Sequence, residues 1–529
     1  MSYRTQVFSM LPWVGGVNTS IDASLIGKNQ LTVAKNVIFD TRGSRRQRPA
    51  INYDFDDASS STSSLLGISD YWFGSSNGTK TQYVVGVSEN FSVYQYIPTT
   101  GARTTLSLSS TSTQWTAAIS SVSFETFNNK LIWAADGTDN KVMVWSGSGS
   151  YSNLSNAPEG SIVRQHLGRL WMNDKNNKDR LHYSETFDET VWNGLGDSGA
   201  IDIGIGDGDP DGITAIFPSF KGDLFVAKRT KLYRIKGYTP GFFEVELVSS
   251  GIGCVSHNSI ALIDQDDMFF VSERGVHSMR ATASFGDFEA KYLSADIQKT
   301  FNDNFVKSRL KLCQAAYIPN INSYVLAVTD SDFSSTINKA LWAYNIELNA
   351  WYLFAPNIDC ESLAPVVNSN KKIFYVGSST NRLGQGLVDS ENDTSESGVS
   401  SAILFNVATG FIFPSDNPYV VCGFKKVGLV FNPTSGYNLT IRFQIDNQEE
   451  QIFTLTGGSS EVLGTSFILG SSILQPTSVM EPAILSVDGY GRSFKLTIEQ
   501  SATDKNIELQ GFVVEYEQQG PAQTSGILT

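Results

Sequence analysis

The sequence predicts a mainly β chain: a loose β-propeller of about six blades, with an extended N-terminal arm before it and an antiparallel C-terminal β-sandwich after it. Three observations carry that expectation. A unit of short apolar run, polar turn and second apolar run returns roughly every 40–50 residues. Beyond an acidic stretch at 389–398, apolar and polar residues alternate along short runs. The 45 glycines and 12% aromatic residues suit tight turns and pleated surfaces.

In chain order, residues 1–50 show no hydrophobic period, and their glycines, asparagines and closing Arg48-Pro49 read as an extended, turn-rich arm. The propeller follows over 51–388. Its hairpins begin with Tyr83 to Val87 turning into Phe91 to Tyr94, then Lys130 to Ala134 into Val142 to Trp145. Arg169 to Met172 with Leu181 to Ser184 reads as one more hairpin. Leu224 to Ala227 with Leu232 to Ile235, Met268 to Val271 with Val276 to Met279, and Tyr324 to Val328 with Leu341 to Tyr344 continue the series, and Ile373 to Gly377 opens another. The first run of each pair is apolar throughout and fits an inner strand; the second alternates and fits a half-exposed one. One helix interrupts the pattern: Ser294 is placed to cap it, Asp296 favours its dipole, and Ile297, Phe301 and Phe305 share one face. Residues 389–402 read as an acidic spacer, and 403–529 as the sandwich, with alternation clearest from Leu439 to Ile445.

At 529 residues the chain is too long for one ordinary core, and 41% hydrophobic against 17% charged residues marks a folded protein. A net charge of −14 argues against sequence-specific binding to duplex phosphate, but not against a surface past which DNA slides. The four cysteines, Cys254, Cys313, Cys360 and Cys422, form no metal or redox spacing and are expected as reduced thiols. The four histidines are equally scattered. No apolar signal core opens the chain, and no run is long enough for a membrane helix. A nucleotide-loop motif of the GxxxxGK[ST] type does not occur. With 53 acidic residues, a catalytic carboxylate pair far apart in sequence stays open.

Three groups are candidates for a site. Asp207, Asp209 and Asp211, with closing Gly212, resemble the front of a calcium loop, yet Pro218 stands where an EF-hand needs its glutamate. A plain acidic turn and a bound Ca2+ are the two readings; no other cofactor is expected. Arg42, Arg45, Arg46 and Arg48 form the dense basic cluster of an acidic chain: a solvated arm, a partner interface, or a contact with passing DNA. Trp171, Trp192, Trp342 and Trp351 read as packing between blades, with a carbohydrate platform as the alternative.

The first fifty residues carry a resemblance. Gly15-Gly16-Val17-Asn18, Asp22 to Ile26, Asn36-Val37 and Arg42 to Pro49 follow one another in an order similar to the N-terminus of tail nozzle (tail tube B-type) proteins of short-tailed bacteriophages. Ser198 to Gly237, Gly251 to Met279 and the terminal Ile507 to Phe512 extend the likeness over most of the chain. The resemblance implies a structural virion protein without catalysis. It implies a homo-hexamer below the portal-adaptor ring, in contact with tail fibres or other tail proteins. Genomic DNA would pass through without sequence-specific binding, and turns such as Ser88 to Asn90 or Asp136 to Lys141 would constrict the path. It further implies assembly in the host cytoplasm and residence in the virion tail. The alternatives are a propeller glycan hydrolase and a lectin-like or fibre-docking module.

Overall fold

The computed structural model describes residues 5–521, apart from 41–42, 54–62, 76–77, 207, 209, 264–266, 282–287, 357–358, 369–370, 396–397, 416, 434–436 and 458–480. The chain is mainly β. Among the described residues, seven blade sheets form the propeller where about six were expected, because each hairpin named above, the one at 169–184 included, belongs to its own sheet. Blade 1 is Leu65–Gly74, Lys80–Ser88, Val93–Ile97 and Ala102–Leu106; blade 2 is Val122–Phe127, Lys130–Ala135, Met143–Trp145 and Ser152–Asn153. Blade 3 runs from Val163–His166 to Gly199–Asp202, blade 4 from Ala215–Ile216 to Glu244–Ser249, and blade 5 from Ala261–Ile263 to Phe288–Tyr292. Blade 6 is Gln314–Ile318, Ser323–Val328, Ala340–Asn345 and Ala350–Phe354.

Blade 7 takes only three strands from its own stretch of chain, Ser362–Asn368, Lys371–Gly377 and Leu383–Val388. Its fourth is Ala50–Tyr53, antiparallel to the third with Ile51 opposite Gly386. The ring is therefore closed by the N-terminal segment. Apolar clusters fill the gaps between successive blades: Leu66, Tyr71 and Val85 meet Trp133 and Trp145 between blades 1 and 2, and Leu65, Ile68 and Tyr96 meet Val366, Ile373 and Tyr375 between blades 7 and 1. The strongly apolar strand of each hairpin is second from the axis, not innermost. It has a strand on either edge and a blade on either face, so all its side chains are buried, as in Leu224–Ala227 and Ser323–Val328.

The C-terminal sandwich packs two sheets face to face, with Phe424, Phe443, Phe494 and Phe512 between them at ring separations of 5.4 to 6.1 Å. It is not a separate bead. Leu31–Lys35 lies between the outer strand of blade 6 and Phe405–Thr409, so one nine-stranded sheet runs from propeller into sandwich. The other sheet takes Thr5–Met10, Val37–Phe39 and Arg45–Gln47 alongside Ile507–Pro521. The segment read as an extended arm packs along its own subunit and finds strand partners in both domains, which satisfy its backbone. The expected acidic spacer is corrected, because Asn392–Thr394 and Ser400–Ala402 extend the blade 7 sheet beyond Ala50–Tyr53.

The helical stretch is a 3-10 turn, Ser294–Ile297, followed by an α-helix, Gln298–Asp303, and Ile297, Phe301 and Phe305 are buried as expected. Ser294 does not cap it; its Oγ accepts the Val276 N–H at 2.9 Å. Ser20 from the N-terminal segment does so instead, its Oγ accepting the Gln298 N–H at 2.8 Å.

Candidate functional site at the propeller axis

Innermost strands leave one edge facing the axis, where backbone groups must find partners outside the blade. Here side chains from other blades supply them. Ser362 donates to the Leu65 carbonyl, Gln314 to Leu66, Asn258 to Val122, Arg164 to Phe124 and Gln82 to Val367. These polar residues tie the ring across its centre.

One end of the axis is plugged by the turn His257–Ser259, between blades 4 and 5. The Ile216 N–H donates to His257 Nδ1 at 3.3 Å, which leaves the proton on Nε2, 3.1 Å from Ser123 Oγ in blade 2. Asn258 reaches Ser121 and Val122, and Tyr324 of blade 6 donates to the Ser259 carbonyl at 2.8 Å. Burial holds the His257 pKa far below its ordinary value, with Arg164 adding to the effect, so the plug is neutral. Among the described residues, the turn thus lies across this end of the axis, bonded to blades 2, 4 and 6.

The other end opens into a cavity of about 490 Å³, a usual size for a small-molecule pocket. Its wall is formed by the innermost strands, including Gly67, Ile68, Ala315, Ala316, Ala364 and Val366. Asp70, Arg164, Tyr317 and Lys372 bring polar groups to it. Asp70 accepts from Gln82 at 2.8 Å, from the Val367 N–H at 3.2 Å and from Trp72 Nε1 at 3.3 Å. Burial raises its pKa against those hydrogen bonds. Arg164 faces Glu125 at 3.5 Å, and burial raises the pKa of that carboxyl despite the guanidinium.

The residues singled out in the sequence do not converge here. Arg42, Asp207 and Asp209 lie outside the described residues. Asp211 pairs with Arg229 at 3.3 Å, and no metal-holding group of side chains occurs among the described residues. Arg45 and Arg48 are buried inside the chain, which corrects their assignment to a partner interface; Arg46 is exposed. Arg48 makes two hydrogen bonds to Asp393, at 2.8 and 2.5 Å, and donates to Asn36 Oδ1 at 2.9 Å. Asn36 also accepts from the Ala355 N–H and donates to the Leu404 carbonyl, so it joins segment, blade 6 and sandwich. Arg45 stacks on Trp13, 4.1 Å from the ring centre, and donates to the Gly15 carbonyl at 2.6 Å. Gly16 is a close approach: a Cβ there would lie 2.7 Å from the Trp351 nitrogen. The four tryptophans are buried packing residues. Sequence reasoning missed Asp70, Gln82, Arg164 and Asn258, whose only mark is being polar residues in or beside strands far apart in the chain.

No family model matches the sequence, and no curated protein matches it. Solved structures with similarity include YCF48 bound to D1 peptide, at 13% identity over 65% of this chain and 98% of that one, TM-score 0.40. BBS1N in complex with ARL6DN has 11% identity over 64% and 98%, TM-score 0.41. An exo-beta-1,3-galactanase from Phanerochaete chrysosporium, with galactose, has 10% identity over 89% and 100%, TM-score 0.27.

Proposed function

We propose that this chain is a non-catalytic structural subunit, the tail nozzle protein of a short-tailed bacteriophage, six copies of which form a ring that retains and then conducts the genome. The observation that carries the reading is the N-terminal segment. The motifs that resemble the nozzle family, Gly15-Gly16, Asn36-Val37 and Arg45 to Pro49, include the residues that join propeller to sandwich. Two domains joined through one sheet suit a ring position, where different faces meet the two neighbours.

DNA then runs through the lumen between subunits and not through a blade axis, which the His257–Ser259 turn closes. The chain's −14 charge keeps phosphate from sticking to that lumen. The turns at Ser88 to Asn90 and Asp136 to Lys141 lie at the plugged end of the propeller, because each follows the second strand of its blade. They are the candidates for the constriction. The portal-adaptor ring and tail fibres are the partners, the virion tail is the location, and no cofactor takes part.

The test is electron microscopy of the purified chain alone and after adding the adaptor complex. Closed rings, alone or on the adaptor, are expected. A chain that stays monomeric with adaptor and hydrolyses host surface glycans would instead be the hydrolase; glycan binding without turnover would mark the lectin-like module.

A further inference from the structure

Among the described residues, five blades end in an outer strand with an open backbone edge, and Glu244–Ser249 of blade 4 is the longest of these strands. Its residues Glu244 to Leu247 are all exposed. Val245 and Leu247 share a face. They stand opposite Ile235 and Tyr233, which pack with Trp171 and Tyr183 in the gap between blades 3 and 4. Phe243, just before the strand, carries that cluster outward, its ring 5.1 Å from Trp171 and 5.3 Å from Tyr183. The preceding turn adds Tyr238 and Phe242, 76% and 77% exposed. Glu246, on the other face, is paired with Arg234 and Lys236. Soluble proteins block exposed edges with lysine, proline or a bulge. This strand has no lysine or proline, and its one register shift lies at the Ser249 end. Such an edge is a template for a further strand.

Residues 458–480, outside the described residues, join Gln451–Gly457 at the margin of one sandwich sheet to Glu481–Gly491 at the margin of the other. Their sequence holds a single charged residue, Glu461. Thr465-Ser466-Phe467-Ile468-Leu469, between Gly464 and Gly470, has the composition of a strand. Out and back, this length of chain reaches roughly 35–40 Å. An uncharged run also sets no like charge against the glutamates of the edge. The rim between blades 3 and 4 lies across the ring of seven blades from blades 6 and 7, which border the sandwich. The sandwich is therefore on the far side of its own propeller from this edge, and a neighbour in a head-to-tail ring brings one close. We propose that residues 464–470 of one copy add as a strand to Glu244–Ser249 of the next, their apolar side chains covering Val245, Leu247 and Phe242. This rests on the ring reading for the presence of the neighbour.

Rings are counted by electron microscopy, with adaptor complex, for three full-length chains. These are the parent, Val245→Lys combined with Leu247→Lys, and Phe467→Ser combined with Ile468→Ser and Leu469→Ser. Both variants are expected to melt as the parent does and to close at least about tenfold fewer rings. Should the lysine pair unfold the chain, Tyr238→Ser with Phe242→Ser replaces it. In a second arm, a peptide of residues 458–480 with two added lysines is titrated against the dilute chain without adaptor. One equivalent is expected to bind, at least about tenfold more weakly to the edge variant. Where the parent closes rings, the variants decide: rings formed by either variant as readily as by the parent overturn the inference and leave the ring reading standing. Where the parent closes none, the ring reading fails and the peptide decides: no binding, or equal binding to the edge variant, overturns the inference.

Discussion

Arg48 keeps its charge inside the protein, 1% exposed and paired with an equally buried Asp393. Removing one partner strands the other, which costs about 3–5 kcal/mol, whereas replacing both by apolar groups of similar volume is often neutral. Urea denaturation should therefore show a large loss for Arg48→Met and a substantial recovery for Arg48→Met combined with Asp393→Leu; equal losses in the two would contradict the pairing. Changing Arg42, Arg45, Arg46 and Arg48 together to Ser is accordingly expected to unsettle the fold, while Arg46→Ser alone leaves it intact. A second buried carboxyl gives a pH signature. Burial pushes the Glu361 pKa up to about 7, with Arg309 pulling the other way. Its folded pKa lies above its ordinary value of 4.5, so its contribution to stability is full below that value and is lost as pH rises through about 7. The melting temperature of Glu361→Gln should fall less than that of the parent between pH 5 and 8. Parallel curves would refute the assignment.

At the scale of elements, the extended N-terminal segment acts as a fastener. It supplies the last strand of blade 7, the strand between blade 6 and the sandwich, and the cap of the Gln298–Asp303 helix. Ser20→Ala should lower stability by about 1 kcal/mol through the lost cap. Removal of residues 1–53 should abolish cooperative unfolding, because blade 7 and the sandwich each lose strands; a melting temperature equal to that of the full chain would contradict this. The elements themselves were legible in the sequence because local pattern sets them: Leu439 to Ile445 alternates, and its inward residues are buried. The pairing of Ala50–Tyr53 with Leu383–Val388 was not legible, since about 330 residues separate the partners and no local rule links them. The same holds for Arg48 with Asp393, and it is why a buried ion pair read as an arginine patch next to nothing and an acidic spacer. The Gln314, Asn258 and Gln82 ties at the axis were hidden for that reason as well.

At the scale of the whole molecule, propeller and sandwich share a nine-stranded sheet and one large apolar core. A shared sheet resists bending at the junction, so the two domains should unfold in a single transition despite the length of the chain. Differential scanning calorimetry should give one peak, and two well-separated peaks would mean that the junction is a linker. On the proposed ring reading, the two joined domains act as one stiff part and the His257–Ser259 turn at one end of the blade axis sends DNA through the lumen between subunits. The most direct measurement of that claim is a reconstruction of the phage tail resolving this chain and the genome together. The account predicts six copies in a closed ring, the sandwich and propeller held as one body, and DNA density in the lumen between subunits. A monomeric position on the virion surface, or DNA density threading the blade axis past His257, would contradict it.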